Sequence, residues 1–138
     1  MDRLFYALLH AAALAMPGYQ EPATLPHMEP VTSQTLRAIG CGHSNDPYCL
    51  TPQSVYLAKV VYYDKSLNLE YEYPRSIMLH ELVHYIQDMN GYRAMKCTDR
   101  GYLEDQAYEI QYAYLVQFGV DMPEVRKGAN SVFCPYQR

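Results

Sequence analysis

The residues best suited to chemistry are His80 and His84 with Glu81, in the string His80-Glu81-Leu82-Val83-His84, inside an apolar run that begins at Ile77. On a helix, residues i and i+4 lie one above the other, so both imidazoles can reach one metal ion. Glu81 falls about 100° round the helix from His80, beside such an ion rather than in front of it. That is the place for a general base. So short a string also occurs in ordinary amphipathic helices, and its meaning depends on what the rest of the chain supplies.

A catalytic zinc takes three protein ligands and keeps one position open for water. His10, His27 and His43 all precede the pair and no histidine follows His84, so a downstream third ligand has to be acidic. Gln87 and Asn90 occupy the positions where a Gly and a third His would extend the motif, which excludes the metzincin pattern. Glu104 opens Glu104-Asp105-Gln106-Ala107-Tyr108, and the small Ala107 one turn on lets a second helix approach the first closely. Glu109 is the competing third ligand, with a solvated helix surface as its alternative place.

His-Glu-x-x-His, nineteen intervening residues and then Glu-x-x-Ala-Tyr resembles the gluzincin clan of zinc metallopeptidases. In particular it looks like the small gluzincin-like peptidases of bacteria called minigluzincins, over residues 55–118. The resemblance implies a zincin-like α+β fold, Zn2+ as cofactor, His80, His84 and Glu104 as its ligands, and Glu81 as the base. Family members often carry Asp where this chain has Tyr108, to orient a ligand His. Here that task passes to Asp88, Asp105 or a backbone carbonyl. Tyr108 is then a candidate donor to the oxyanion, or a ring packed between two helices. Gln87 and Gln111 face the site side of their helices as polar contacts.

The expected activity is zinc-dependent peptide-bond hydrolysis. Zinc lowers the pKa of its water towards about 7 and polarises the scissile carbonyl, while Glu81 moves the proton from water to the leaving amine. The alternative is a non-catalytic or latent zinc-binding module that holds a partner peptide, since 138 residues leave few to wall a deep cleft. A domain of a larger secreted toxin or assembly is a third reading.

The elements that must position these residues follow from pattern. Residues 2–15 form an apolar helix with Asp2 as N-cap and Pro17-Gly18 as its stop. Arg3, the apolar run after it and Ala13-Leu14-Ala15 also fit a leader peptide, but the stretch is expected as a helix of the domain. It is too short to span a membrane, which takes about 20 apolar residues. Pro22, Pro26 and Pro30 make residues 18–30 an extended crossing without regular structure. Thr32 or Ser33 caps a short helix that Gly40 ends. Residues 54–63 and the alternating 67–73 read as an antiparallel hairpin turned at Asp64-Lys65-Ser66. The second strand is the expected edge for an extended peptide.

Pro74 opens the motif helix, with a core stripe of Met78, Leu82, Tyr85, Ile86 and Met89, and Asn90-Gly91 stops it. Thr98 or Asp99 caps a second long helix whose stripe is Leu103, Ala107, Ile110, Tyr114 and Phe118, ended by Gly119. A short helix follows Asp121 and Pro123.

A chain that is 49% apolar and 19% charged, without repeat or linker, reads as one globular domain over 1–138: α+β, a small antiparallel or mixed sheet packed on the motif helix and a second long helix. The formal charge of -4, with no stripe of Lys and Arg, argues against a nucleic-acid partner and leaves a peptide or protein substrate. The 15 tyrosines, against no Trp and 3 Phe, fit strands and half-exposed surface. Four cysteines with no Cys-x-x-Cys pair are expected as two disulfides, Cys41 with Cys49 and Cys97 with Cys134. Disulfides imply an oxidising, extracytoplasmic place, periplasmic or secreted.

Overall fold

The computed structural model describes residues 1–42 and 49–127, with Cys97 and Lys127 described by their backbone alone. At its centre lies helix α3 (Glu72–Met89), buried on every face from Ser76 to Val83 and again at Tyr85, Ile86 and Gln87. It starts two residues before the expected Pro74. Tyr71 is the N-cap, and Pro74 sits in the first turn, where a missing N–H costs no helical bond. Gly91, at φ +85°, ends the helix as expected, and the Tyr92 N–H closes back on the Gln87 carbonyl at 2.9 Å. Met89 is half exposed, so the expected stripe fails at its last member.

Three layers enclose α3. Helix α1 (Asp2–Leu14) lays Phe5, Leu8, Leu9 and Ala12 on one side, with Met16 just beyond it. Its N-cap is Met1, and Asp2 falls in the first turn instead. Helix α4 (Cys97–Gln117) packs against α3 as well. Burial of each large aliphatic side chain here contributes about 1.5–3 kcal/mol.

The third layer is a three-stranded mixed sheet of strands β1 (His27–Val31), β2 (Ser54–Leu57) and β3 (Val60–Asp64), in the order β1-β3-β2. β1 runs parallel to β3, and β2 antiparallel to it. The expected hairpin is displaced. Its turn is Ala58-Lys59, inside the first expected strand, and both residues take positive φ, +50° and +66°. A two-residue loop of that hand matches strand twist even though neither residue favours it. Residues 67–73 form no strand. Asp64 Oδ1 accepts from the Ser66 N–H and Asn68 Oδ1 from the Glu70 N–H, so local side-chain bonds take over backbone groups that a strand would need. β1 lies within the stretch expected to lack regular structure. It is an edge strand, where Pro30 has no ladder bond to lose.

Helix α2 (Ser33–Cys41) is capped by Thr32, whose Oγ1 accepts from the Thr35 N–H at 3.2 Å. It runs through Gly40 rather than ending there. A Cβ on Gly40 would lie 2.7 Å from Pro52 Cγ, so glycine is what lets α2 press against the approach to β2. Cys41 and Cys49 form the expected disulfide, with Cα atoms 6.1 Å apart, and Arg37 donates to the Cys49 carbonyl at 2.6 Å. The expected partner of Cys97, Cys134, lies outside the described residues.

The N-cap of α4 is Lys96; Asp99, expected as a cap, sits inside the first turn and accepts from the Met95 N–H at 3.1 Å. The buried line along α4 is Ala107, Gln111 and Leu115, with Phe118 half exposed, so the expected stripe is rotated. The face turned to α3 carries the polar groups of the site, and an apolar pattern could not reveal it. Helix α5 (Pro123–Lys127) packs against α4. The architecture is α+β with a small mixed sheet. Among the described residues no helix is long and apolar enough to cross a membrane.

Candidate metal centre

One turn of α3 separates His80 from His84, and their rings stand edge to face with centroids 4.9 Å apart. The Nδ1 of each ring meets a glutamine. His80 Nδ1 lies 3.0 Å from Gln111 Oε1, and His84 Nδ1 lies 2.8 Å from Gln87 Oε1. The rest of each amide fixes which atom faces the ring. Gln87 Nε2 donates to the Leu103 carbonyl at 3.0 Å, and a carbonyl can only accept. Gln111 Nε2 donates to Ser76 Oγ at 3.1 Å, whose own proton goes to the Tyr73 carbonyl at 2.6 Å. Both glutamines therefore present oxygen, and both Nδ1 atoms must donate. The Nε2 atoms are left to bind something else.

They converge on Glu104, which α4 brings across because Ala107, fully buried, lets the two helices close. Glu104 Oε1 lies 3.3 Å from His80 Nε2 and in direct contact with His84 Nε2. Burial works against the charge on Glu104, but the hydrogen bonds from His80 and His84 outweigh it and hold the carboxyl well below its usual range. Burial likewise opposes a charge on His84, yet the bond to Glu104 and the negative charge of Glu81 push it up to about 9. A partly buried carboxylate facing two Nε2 atoms favours positive charge there, from a proton or a metal ion. The donor set of two imidazoles and a carboxylate fits zinc. The ligating atoms of His80, Glu81 and His84 also lie within 4.8 Å of one another, so these three residues could themselves hold a metal ion.

Glu109 stands elsewhere, exposed and paired with Arg126 Nε at 2.9 Å. Asp88, an expected orienting group, is taken by the Tyr56 hydroxyl at 2.6 Å and Arg93 Nε at 2.7 Å. The Asp105 side chain makes no hydrogen bond or ion pair to another described residue. Gln87 and Gln111, expected as incidental polar contacts, hold the imidazoles instead. Gln87 was within reach of sequence reasoning, since it lies at i+3 from His84 on one helix surface. Gln111 required the pairing of two helices.

Glu81 is buried, with Oε2 accepting from Ser54 Oγ at 2.5 Å. Ser54 is the first residue of β2, and Tyr56, two residues on, fastens the same face of that strand to α3 through Asp88. No local signal in the sequence marks Ser54, because it meets Glu81 only through the packing of sheet on helix. The Tyr108 ring stands edge to face on His80 at 4.4 Å, and its hydroxyl makes no hydrogen bond among the described residues. Burial, then the charges of Glu104 and Glu81, push that hydroxyl up to about 12, so it stays a proton donor across the neutral range.

A cleft of about 300 Å³ opens beside Glu81, between Gln53 and Ser54 on one rim and Tyr108 and Val125 on the other. The edge strand on this cleft is β2, in place of the expected 67–73. The Asp64 N–H donates to the Gln53 carbonyl at 3.0 Å, which sets the ladder so that Ser54 and Tyr56 turn their backbone groups away from β3. No protein-family model, curated protein or solved structure matches the chain.

Proposed function

We propose that the chain is a zinc-dependent peptidase of gluzincin-like, zincin-type arrangement, with His80, His84 and Glu104 holding the ion. The observation that carries this is the two Nε2 atoms, left as the ligating nitrogens once Gln87 and Gln111 take Nδ1, converging on Glu104. When bound, zinc supplies Lewis acidity that polarises a carbonyl and lowers the pKa of water to about 7. Glu81 takes the proton from the attacking water and hands it to the leaving amine. Ser54 keeps one oxygen of Glu81 engaged, which aims the other into the cleft. The Tyr108 hydroxyl, protonated and without a hydrogen bond among the described residues, donates to the developing oxyanion. The outer edge of β2, unpaired among the described strands, receives the peptide as an added strand. The Cys41–Cys49 bond accords with an extracytoplasmic place of work, periplasmic or secreted.

A second reading is a latent or non-catalytic zinc module that holds a partner peptide. The small cleft, at the low end of the range for ligand pockets, favours it. Incubation of the zinc-loaded chain and Glu81→Gln with unfolded proteins and peptide libraries separates the two. Cleavage by the wild type alone supports the peptidase, and equal background from both supports the module.

A further inference from the structure

The cleft beside Glu81 has an apolar wall made by Ile77, Val125 and the rings of Tyr73 and Tyr108. Its polar groups are mostly engaged with one another. Gln111 is held by His80 and Ser76, Ser54 by Glu81, and the Tyr73 hydroxyl donates to Gln53 Oε1 at 3.4 Å. Left over are the Tyr108 hydroxyl, given above to the oxyanion, and the carboxylate of Glu124 on α5, which is exposed and has no hydrogen bond or ion pair among the described residues. Among the described residues no Lys or Arg lines the cleft. Among the described residues the space therefore combines an apolar wall with the carboxylate of Glu124, which stands apart from the proposed metal ligands and has no Lys or Arg beside it.

A long side chain with an aliphatic stem and a cationic head complements such a space. Its stem covers the apolar wall while its head reaches the carboxylate at the rim. An acidic side chain in the same place would face like charge and be rejected. We infer that the cleft takes an extended peptide presenting a lysine or arginine side chain to Glu124. This rests on the peptide-binding reading of the site and adds the class of side chain selected.

The test is fluorescence anisotropy with zinc-loaded protein and labelled hexapeptides that differ at one central position: Lys, Arg, norleucine or Glu. Mass spectrometry of the same samples reads cleavage separately. Lys and Arg peptides bind about twofold to fivefold tighter than the norleucine peptide, the Glu peptide binds weakest, and the gap narrows in high salt. Glu124→Lys reverses the order, with circular dichroism and zinc content reporting that the fold is intact. Equal affinities, or no binding by any peptide, overturns the inference, as does an unchanged preference in Glu124→Lys. Basic preference without cleavage leaves the inference standing and overturns the hydrolytic reading. Cleavage without basic preference does the reverse.

Discussion

Ser54 and Glu81, 27 residues apart, are joined by a 2.5 Å hydrogen bond that ties the edge strand of the sheet to the central helix. A peptide lying along β2 would pair with the strand that holds the base. Ser54→Ala is expected to lower kcat about tenfold while zinc content is unchanged, because one charge-assisted bond is lost and the carboxylate is free to turn. Ser54→Thr, which keeps the hydroxyl, should restore most of the rate. Steady-state kinetics with parallel zinc analysis checks this, and an unaltered rate in Ser54→Ala would remove Ser54 from the account.

Gln87 and Gln111 hold the two imidazoles by Nδ1. Gln87→Leu and Gln111→Leu each leave a buried Nδ1–H without an acceptor and a ring free to rotate. Zinc affinity should fall about 10-fold to 100-fold in each, measured by competition with a chromophoric chelator. Affinities equal to wild type would mean that packing alone orients the rings.

The metal-free chain has its own pH dependence. His84 is raised from 6.5 to about 9, so its contribution to stability is fully present below pH 6.5 and is lost as pH rises through about 9. Glu104 is lowered from 4.5, so its contribution is present above pH 4.5 and is lost as pH falls further. The Tm of the metal-free chain should peak between those limits. Zinc competes with the proton that His84 shares with Glu104, so the Tm gain on adding zinc should be larger at pH 8 than at pH 6. Thermal denaturation with zinc or with chelator at both values checks the sign.

Ala107 is fully buried where α4 meets α3. Ala107→Leu overpacks that contact and should cost about 1–3 kcal/mol in stability. It also moves Glu104 away from the imidazoles, so zinc affinity should fall with it. Denaturant unfolding and a zinc titration on the same variant measure both; a loss of stability with full zinc affinity would separate Ala107 from the site.

Much of this arrangement was legible in the sequence because helix periodicity is local. His80, Glu81 and His84 sit as the spacing of a helix dictates, and the absence of later histidines pointed to an acidic partner such as Glu104, which the fold brings to both imidazoles. The Cys41–Cys49 pair was legible from its short loop. The sheet was not. Alternation over 67–73 suggested a strand, but Asp64 and Asn68 side chains bond the local backbone, and a hairpin turn at Ala58-Lys59 uses two residues that propensity disfavours. β1 was hidden by prolines that an edge strand tolerates. Ser54 and Gln111 became visible only when sheet met helix and helix met helix, since each acts across a long stretch of chain.

The central claim is that two imidazoles and Glu104 hold one zinc ion per chain. Elemental analysis of wild type, Glu104→Ala and Glu109→Ala, each purified without chelator and dialysed identically, tests it most directly. The account predicts one zinc per chain in wild type and Glu109→Ala and a loss of most zinc in Glu104→Ala. Wild type without zinc, or Glu104→Ala with as much zinc as wild type, would contradict it.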